Sequence, residues 1–448
     1  MKRRAVALIA YARYGYFARV LSSLLDQRIG AETLFDRFDV HLFQDGLWER
    51  ETAANRQGHA QIGAAIEALE DRVTVHRQSE NLGVARHFDY VERVLFEQRD
   101  YEVGHFFEDD LVLAPGYMQV MELLADRFLD DPRVGMFSAH PDACTRSLKD
   151  QRDKQDQYTS MGHNWGFGLT RAFWQKRQAF VDLYLKWCEP FAYRERPTPD
   201  ILAWLKTAGF QPRVSSQDFV KCCATAALGA VRLATTPNFG LPIGEEGLHS
   251  RPEFFRSQGL DRTVLYADLM DAVPALDSAQ YDALLEHQAK GVLDAPGTFD
   301  QGDWLGRLAA GEFDPAERVN AVCERRAPVE RVSEQDIAAC YRVLLGRNPE
   351  NDNAIRSRIG RPTTEVLTSF LESGEFAEAR SELAPLFSRV TSRLSDIWQK
   401  ELEREHPEGQ SPLPDGGPQA SLAVPERPEM EQAGLKAFEE ALAGATCY

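Results

Sequence analysis

Along residues 1–135, short apolar runs alternate with stretches of helical spacing, and this alternation narrows the possible folds more than any other feature of the chain. Residues 5–10, 40–43, 73–76 and 103–107 are apolar runs of strand length, while 17–25, 60–69 and 87–96 have helical spacing. In the last of these, Phe88, Val91 and Leu95 share one face. Such alternation builds an α/β fold: a mostly parallel, Rossmann-like sheet flanked by helices. Ligands of these sheets sit at the carboxyl ends of the strands. Two acidic groups fall there, Asp45 in the turn Gln44-Asp45-Gly46 and the triplet Glu108-Asp109-Asp110.

The rest of the chain is less periodic. Residues 136–255 read as irregular, Trp- and Gly-rich, with one clear helix over 218–228, and close a first domain of 1–255. Residues 256–330 are a mixed extension of it. A small all-α domain is expected over 331–402. In it Ser333 caps a helix over 334–345 that Gly346 ends, and Thr363 or Thr364 opens a second helix, to 372, that Gly374 stops. Residues 403–430, rich in Pro, Glu, Gly and Gln, read as a disordered linker, and 431–448 as a short terminal helix.

The net charge of -18 argues against a nucleic-acid partner, which needs a basic face. It leaves room for a nucleotide, since a divalent cation and a few donors can hold a diphosphate in an acidic protein. No membrane span is expected: the run over 5–11 is short and Arg13 interrupts it. Lys2, Arg3 and Arg4 precede it without a cleavage site after it, so a buried first strand explains it better than a signal peptide. Seven scattered cysteines, Cys222 and Cys223 adjacent, suit reduced thiols. The expected location is the cytoplasm, with room for peripheral association with the inner membrane.

Four motifs carry chemistry. Glu108, Asp109 and Asp110 follow a buried strand, and clustered carboxylates repel unless a cation offsets them. Their hard oxygens suit Mg²⁺ or Mn²⁺; the alternative is a solvated acidic turn. In Asn81-Leu82-Gly83, the glycine allows close approach of backbone to a ligand, or marks an ordinary loop-to-helix junction. Asp218, at a helix start, is either a cap or a general base. Gly244-Glu245-Glu246-Gly247-Leu248-His249-Ser250 is either a lid or a surface loop.

The run from Arg86-His87-Phe88-Asp89-Tyr90 through Glu108-Asp109-Asp110-Leu111-Val112-Leu113-Ala114-Pro115-Gly116-Tyr117 resembles the N-acetylglucosaminyltransferase I family. Ala12-Arg13, Phe43-Gln44-Asp45-Gly46 and Gly247-Leu248-His249-Ser250 followed by Phe254-Phe255 extend the likeness over roughly 5–255. Asn81-Leu82-Gly83 and Gln217-Asp218 with Gly229 also resemble bacterial family-2-type glycosyltransferases. The resemblance implies a GT-A fold and inverting, Mn²⁺- or Mg²⁺-dependent transfer of a sugar, first N-acetylglucosamine, from a UDP-sugar to a glycan or glycoprotein acceptor. By position it implies that Arg13, Asp45 and His87 hold uridine and phosphate. Glu108 and Asp109 contact the donor sugar and ribose, and Asp110 ligates the metal, with His249 as a second ligand. Asp218 is the base and Ser250 a phosphate contact. Trp165, in the Gly-rich run 162–168, either stacks on a sugar or is a core residue. Gln217-Asp218-Phe219 departs from the family's tryptophan-flanked acidic pair.

Cys340 to Pro349 and Ser369 to Phe376 resemble a helical domain appended to many bacterial transferases, implying a bacterial source and a protein partner or self-association. Two rivals stand beside this reading. A sugar-phosphate nucleotidyltransferase would carry a Gly-rich loop after the first strand, where this chain has Ala10-Tyr11-Ala12-Arg13-Tyr14-Gly15. The other is a non-catalytic scaffold with a binding module.

Overall fold

The structure, a computed structural model, describes residues 4–246, 252–325, 332–350, 354–355, 358 and 363–379. These fall into two compact units that part near residue 320.

The first unit begins as the alternation predicts, with β1 (Arg4–Ala10), α1 (Tyr14–Leu25), β2 (Asp39–Gln44), α2 (Ala53–Glu67), β3 (Thr74–Arg77), α3 (Gly83–Arg93) and β4 (Val103–Glu108). A π-helical turn, Val94–Gln98, follows α3 where a plain helix was expected. Next come β5 (Leu111–Leu113) and α4 (Tyr117–Phe128). Residues 136–255 are more regular than their sequence suggests. They hold most of β6 (Val134–Ser138), then β7 (Tyr158–Ser160), β8 (Gly166–Thr170), α5 (Arg171–Cys188), α6 (Thr198–Thr207), α7 (Gln217–Ala227), β9 (Val231–Thr235) and β10 (Gly240–Pro242). The mixed stretch after 255 contributes α8 (Ser278–Val292).

Eight strands form one sheet in the order β3-β2-β1-β4-β8-β6-β9-β7. Strands β3, β2, β1 and β4 are mutually parallel, β8 is antiparallel to both neighbours, and β6 and β9 are parallel. Successive side chains of a strand point to opposite faces. Val6, Leu8 and Ala10 accordingly join the core under α1, α2 and α4, and Ala5, Ala7 and Ile9 join the one under α3 and α5. Burial on both faces is why these strands read as unbroken apolar runs. The mostly parallel α/β sheet expected from the sequence is therefore present, with two strands reversed, β8 within it and β7 at its edge beside β9.

Beneath the sheet's amino end, Glu122 of α4 accepts hydrogen bonds from Arg4 Nη1 at 2.8 Å and Arg37 Nε at 2.9 Å, and lies 3.4 Å from His105 Nε2. Burial opposes its ionisation, but His105 and Arg4 outweigh burial and hold its pKa at about 2, against an ordinary 4.5. A depressed folded-state pKa gives stability that is complete above the unfolded value and lost as pH falls through the folded one. Glu122→Gln is therefore expected to show a stability deficit that is constant above about pH 5 and shrinks between pH 4.5 and 2. Urea midpoints measured from pH 3 to 7 test this; a deficit that grows on acidification would refute it.

In the second unit, Ser333 caps α9 (Glu334–Leu344) in a capping box with Asp336, and Gly346 leaves it at φ +73°. The next helix is α10 (Thr363–Leu371). Gly374 does more than end it, because it opens α11 (Gly374–Ala379). Val332, Ile337, Tyr341, Val366, Phe370 and Phe376 form the shared core. The expected linker over 403–430 and helix over 431–448 lie outside the described residues. Among the described residues no helix is long and apolar enough to cross a membrane.

Candidate active site

The carboxyl ends of β1, β2 and β4 share one edge, since register pairs Ala10 with Gln44 and Ile9 with Glu108. Reversed β8 starts at this edge with Gly166 opposite Phe107, and the Glu108 N–H donates to the Trp165 carbonyl at 2.9 Å. Gly166 is required there, because a Cβ would fall 2.7 Å from the Tyr117 hydroxyl. The glycine therefore packs against protein. Asn164, just before it, reaches the first turn of α7, where its Nδ2 donates to Asp218 Oδ1 at 2.7 Å.

The acidic triplet surrounds a single guanidinium. Arg13 donates to Asp109 and pairs with Asp110 Oδ1 at 2.7 Å, and its Nη1 donates to the Glu246 carbonyl at 3.1 Å. Burial is the largest influence on Arg13 and lowers its pKa, but the two aspartates outweigh it and raise the pKa overall. Asp110 Oδ1 is buried and, despite this charge contact, has no hydrogen bond of good geometry among the described residues. Burial pushes Asp109 up to about 6 against the pull of Arg13, with Asp110 adding to the rise. Glu108 is held well above the usual carboxylate range by burial and then by Asp218, Asp110 and Asp109. One cation thus faces several carboxylates, and burial with their mutual repulsion disfavours the charged form of Glu108.

Asp45 is buried with every acceptor position engaged. Its Oδ1 accepts from the N–H groups of Gly46 and Leu82, and Oδ2 from Gly83 N–H and Asn81 Nδ2, at 2.9–3.0 Å. Burial raises it to about 6 against those donors. Gly83 itself sits at φ +71°, and a Cβ there would lie 2.5 Å from Tyr193 Cβ, so only glycine serves. His87 on α3 is buried, its Nε2 has no hydrogen-bond partner among the described residues, and burial lowers its pKa to about 3. It is a neutral imidazole.

The structure bears on two alternatives left by the sequence. Asp218 is not the cap of its helix, since Ser216 accepts from the Phe219 N–H. Instead Asp218 Oδ1 receives the amides of Asn164 and Gln217. Trp165 packs on the core, with its indole parallel to His163 at 4.0 Å and stacked with His140 at 6.0 Å. At least one face is thereby covered. His249 and Ser250, with most of the glycine-flanked loop, lie outside the described residues.

The site therefore brings together Arg13, Glu108, Asp109, Asp110 and Asp218, with Asp45 in the turn after β2 tied to the 81–83 loop, which follows β3 and leads into α3 with His87. Asn164 went unassigned in the sequence although it lies in the Gly-rich run. Among the described residues no group of three or more His, Cys, Asp or Glu side chains is arranged to hold a metal ion. Asp110 Oδ1, in charge contact with Arg13 but without a hydrogen bond among the described residues, is a hard oxygen that would serve a divalent cation as a single protein ligand.

No family profile and no curated protein sequence matches the chain. Among solved structures, similarity is found to a fragment of TarS from S. aureus at 14% identity and TM-score 0.32, over 82% of this chain and 91% of that one. A glycosyltransferase, GlyE, from Streptococcus pneumoniae TIGR4 is 12% identical at TM-score 0.25, over 43% and 41%. A cytidylyltransferase from Leptospira borgpetersenii is 12% identical at TM-score 0.22, over 40% and 65%. These superpositions are loose, and the functional reading rests on the residues of this chain.

Proposed function

We propose that this chain is a GT-A-type glycosyltransferase that transfers a sugar, first N-acetylglucosamine, from a UDP-sugar to a hydroxyl of a glycan or glycoprotein, with inversion. The observation that carries the reading is the placement of Asp218. It faces the acidic triplet across the carboxyl edge of the sheet, is not spent on its helix cap, and is held by two amide donors. Next to it Glu108 is driven toward its neutral form. Inversion needs one base and no protein nucleophile, and Asp218 is placed to take the proton of the incoming hydroxyl.

Asp110 would hold Mn²⁺ or Mg²⁺, which when bound neutralises charge on the departing diphosphate. Arg13 serves the phosphates and Asp109 the ribose, while Glu108 in its neutral form donates to the sugar. Asp45, with both oxygens occupied, shapes the uridine corner through the 81–83 loop, and His87 offers an uncharged hydrogen bond through Nε2. Trp165 borders the sugar pocket with whatever of its surface His163 leaves open. His249 remains the candidate second metal ligand and Ser250 the phosphate contact of a closing loop. The helical unit after Val332 serves a protein partner or self-association.

A screen of UDP- and GDP-sugars for metal-dependent release of the nucleoside diphosphate tests the reading. Release of pyrophosphate from a nucleoside triphosphate and a sugar phosphate would favour the nucleotidyltransferase instead, and no turnover of either would favour a scaffold. Asp110→Ala is expected to abolish metal-dependent turnover while the protein stays folded, since it removes a repelling charge from the triplet. Full activity of this variant, or of the wild type in excess chelator, would remove the metal from the mechanism.

A further inference from the structure

Behind Asp218 lies a second buried charge. Arg232 of β9 is 4% exposed and, among the described residues, forms no salt bridge. Its Nη1 donates to Asn164 Oδ1 at 3.4 Å, and Asn164 Nδ2 donates to Asp218 Oδ1 at 2.7 Å. A guanidinium offers only donors and an ionised carboxylate only acceptors. An amide between them satisfies both in one orientation alone; turned over, it would set N–H against N–H and oxygen against oxygen. Gln217 has no such director: its Nε2 also reaches Asp218 Oδ1, yet its Oε1 is buried without a hydrogen-bond partner among the described residues. Both amides fall on Oδ1, so Oδ2 is left for a proton.

The backbone is shaped to deliver this guanidinium. The pairing of β9 with β6 slips between Val231 and Arg232, and such irregularities re-aim side chains beside active sites. Gln288 of α8 then clamps the main chain, accepting from the Arg232 N–H at 3.0 Å and donating to its carbonyl at 2.7 Å. The side chain borders a small cavity of about 20 Å³ with Asp142, Ser160, Cys222 and His287. Asp142, at the same cavity, is the carboxylate its charge reaches, without a direct ion pair among the described residues.

We propose that Arg232 is a positioning residue for Asp218: by fixing the amide of Asn164 it holds Oδ1 and leaves Oδ2 facing the acceptor hydroxyl. This rests on Asp218 being the base. The titratable and charged groups around the pair come from several elements. Those facing Asp218 are Glu108 from β4, Lys221 and Cys222 along α7, and Tyr193. Those facing Arg232 are Asp142, His163, Cys222 and Cys223.

The test is a ¹³C NMR titration of protein labelled at the aspartate Cγ, with the Asp218 signal assigned by its loss in Asp218→Asn. Arg232→Met and Asn164→Ala are each expected to tighten proton binding at Asp218 by about tenfold, and the double variant by no more than either alone, since both break one relay. An Asp218 signal that titrates as in the wild type in both variants, or effects that add, would overturn the inference. Should Arg232→Met fail to fold by circular dichroism, Asn164→Ala alone decides it, because it deletes the relay and leaves the guanidinium in place. The turnover of Asp218→Asn judges the base assignment separately. An inactive Asp218→Asn beside an unmoved titration sinks the relay only, and a fully active one sinks the base.

Discussion

Asp218→Asn is expected to lower turnover by roughly 10²–10⁴-fold, the usual contribution of a general base, while donor affinity changes by about twofold or less. The substitution keeps the shape of the side chain and an oxygen for the amides of Asn164 and Gln217. It removes the ability to accept a proton, a loss felt in the transition state more than in the bound ground state. It also removes one of the charges that raise Glu108, whose carboxyl should then titrate lower. Turnover from transfer kinetics and UDP-sugar affinity from calorimetry separate the two effects. Near-normal turnover would leave Asp218 without a chemical role, because Ser216 already caps the helix.

Glu92→Gln is expected to cost about 3–5 kcal/mol of stability, the usual price of breaking a buried ion pair from one side. Glu92 of α3 is fully buried and receives Arg177 Nη2 at 2.5 Å and Lys221 Nζ at 2.9 Å, both also buried. Burial opposes its charge, yet the two cations win and hold it below the usual carboxylate range. Its contribution is therefore present at neutral pH and fades as pH falls through that lowered value. Glutamine would strand two cations in the interior, so Lys221→Met added to Glu92→Gln should recover part of the loss. Denaturation of the two variants beside the wild type checks this. A single variant within about 0.5 kcal/mol of wild type would mean that the triad is already hydrated.

The parallel half of the sheet is legible in the sequence because its strands are buried on both faces and need no partner's pattern to be recognised. The acidic triplet and Asp218 are legible because their chemistry is local. The region over 136–255 is not. Strand β8 is only Gly-Phe-Gly-Leu-Thr, and its first glycine answers to Tyr117, a residue far away in sequence. Asn164 and Arg232 are 68 residues apart, and neither signals the other. Some trace of the buried charges was available: Lys221 sits within Phe219-Val220-Lys221-Cys222-Cys223, and Arg232 within Ala230-Val231-Arg232-Leu233-Ala234. A lone cation inside an apolar run marks an interior partner in both cases. Glu92 and Arg177 have no such marker, because each lies in a helix with charged residues on its outer face.

The reversal of β8 divides the edge of the sheet by origin. Arg13, Asp45 and the triplet stand where parallel strands finish, whereas Asn164 and Trp165 stand where one strand begins. On the proposed reading, the nucleotide side is built from strand exits with short connections into the next element. The acceptor side is built from the long approaches to β8 and α7, residues 139–165 and 189–216. Those approaches can lengthen or change composition without shifting the register of β1, β2 and β4. On that reading the acceptor side can vary in these approaches while the donor corner keeps its strand register.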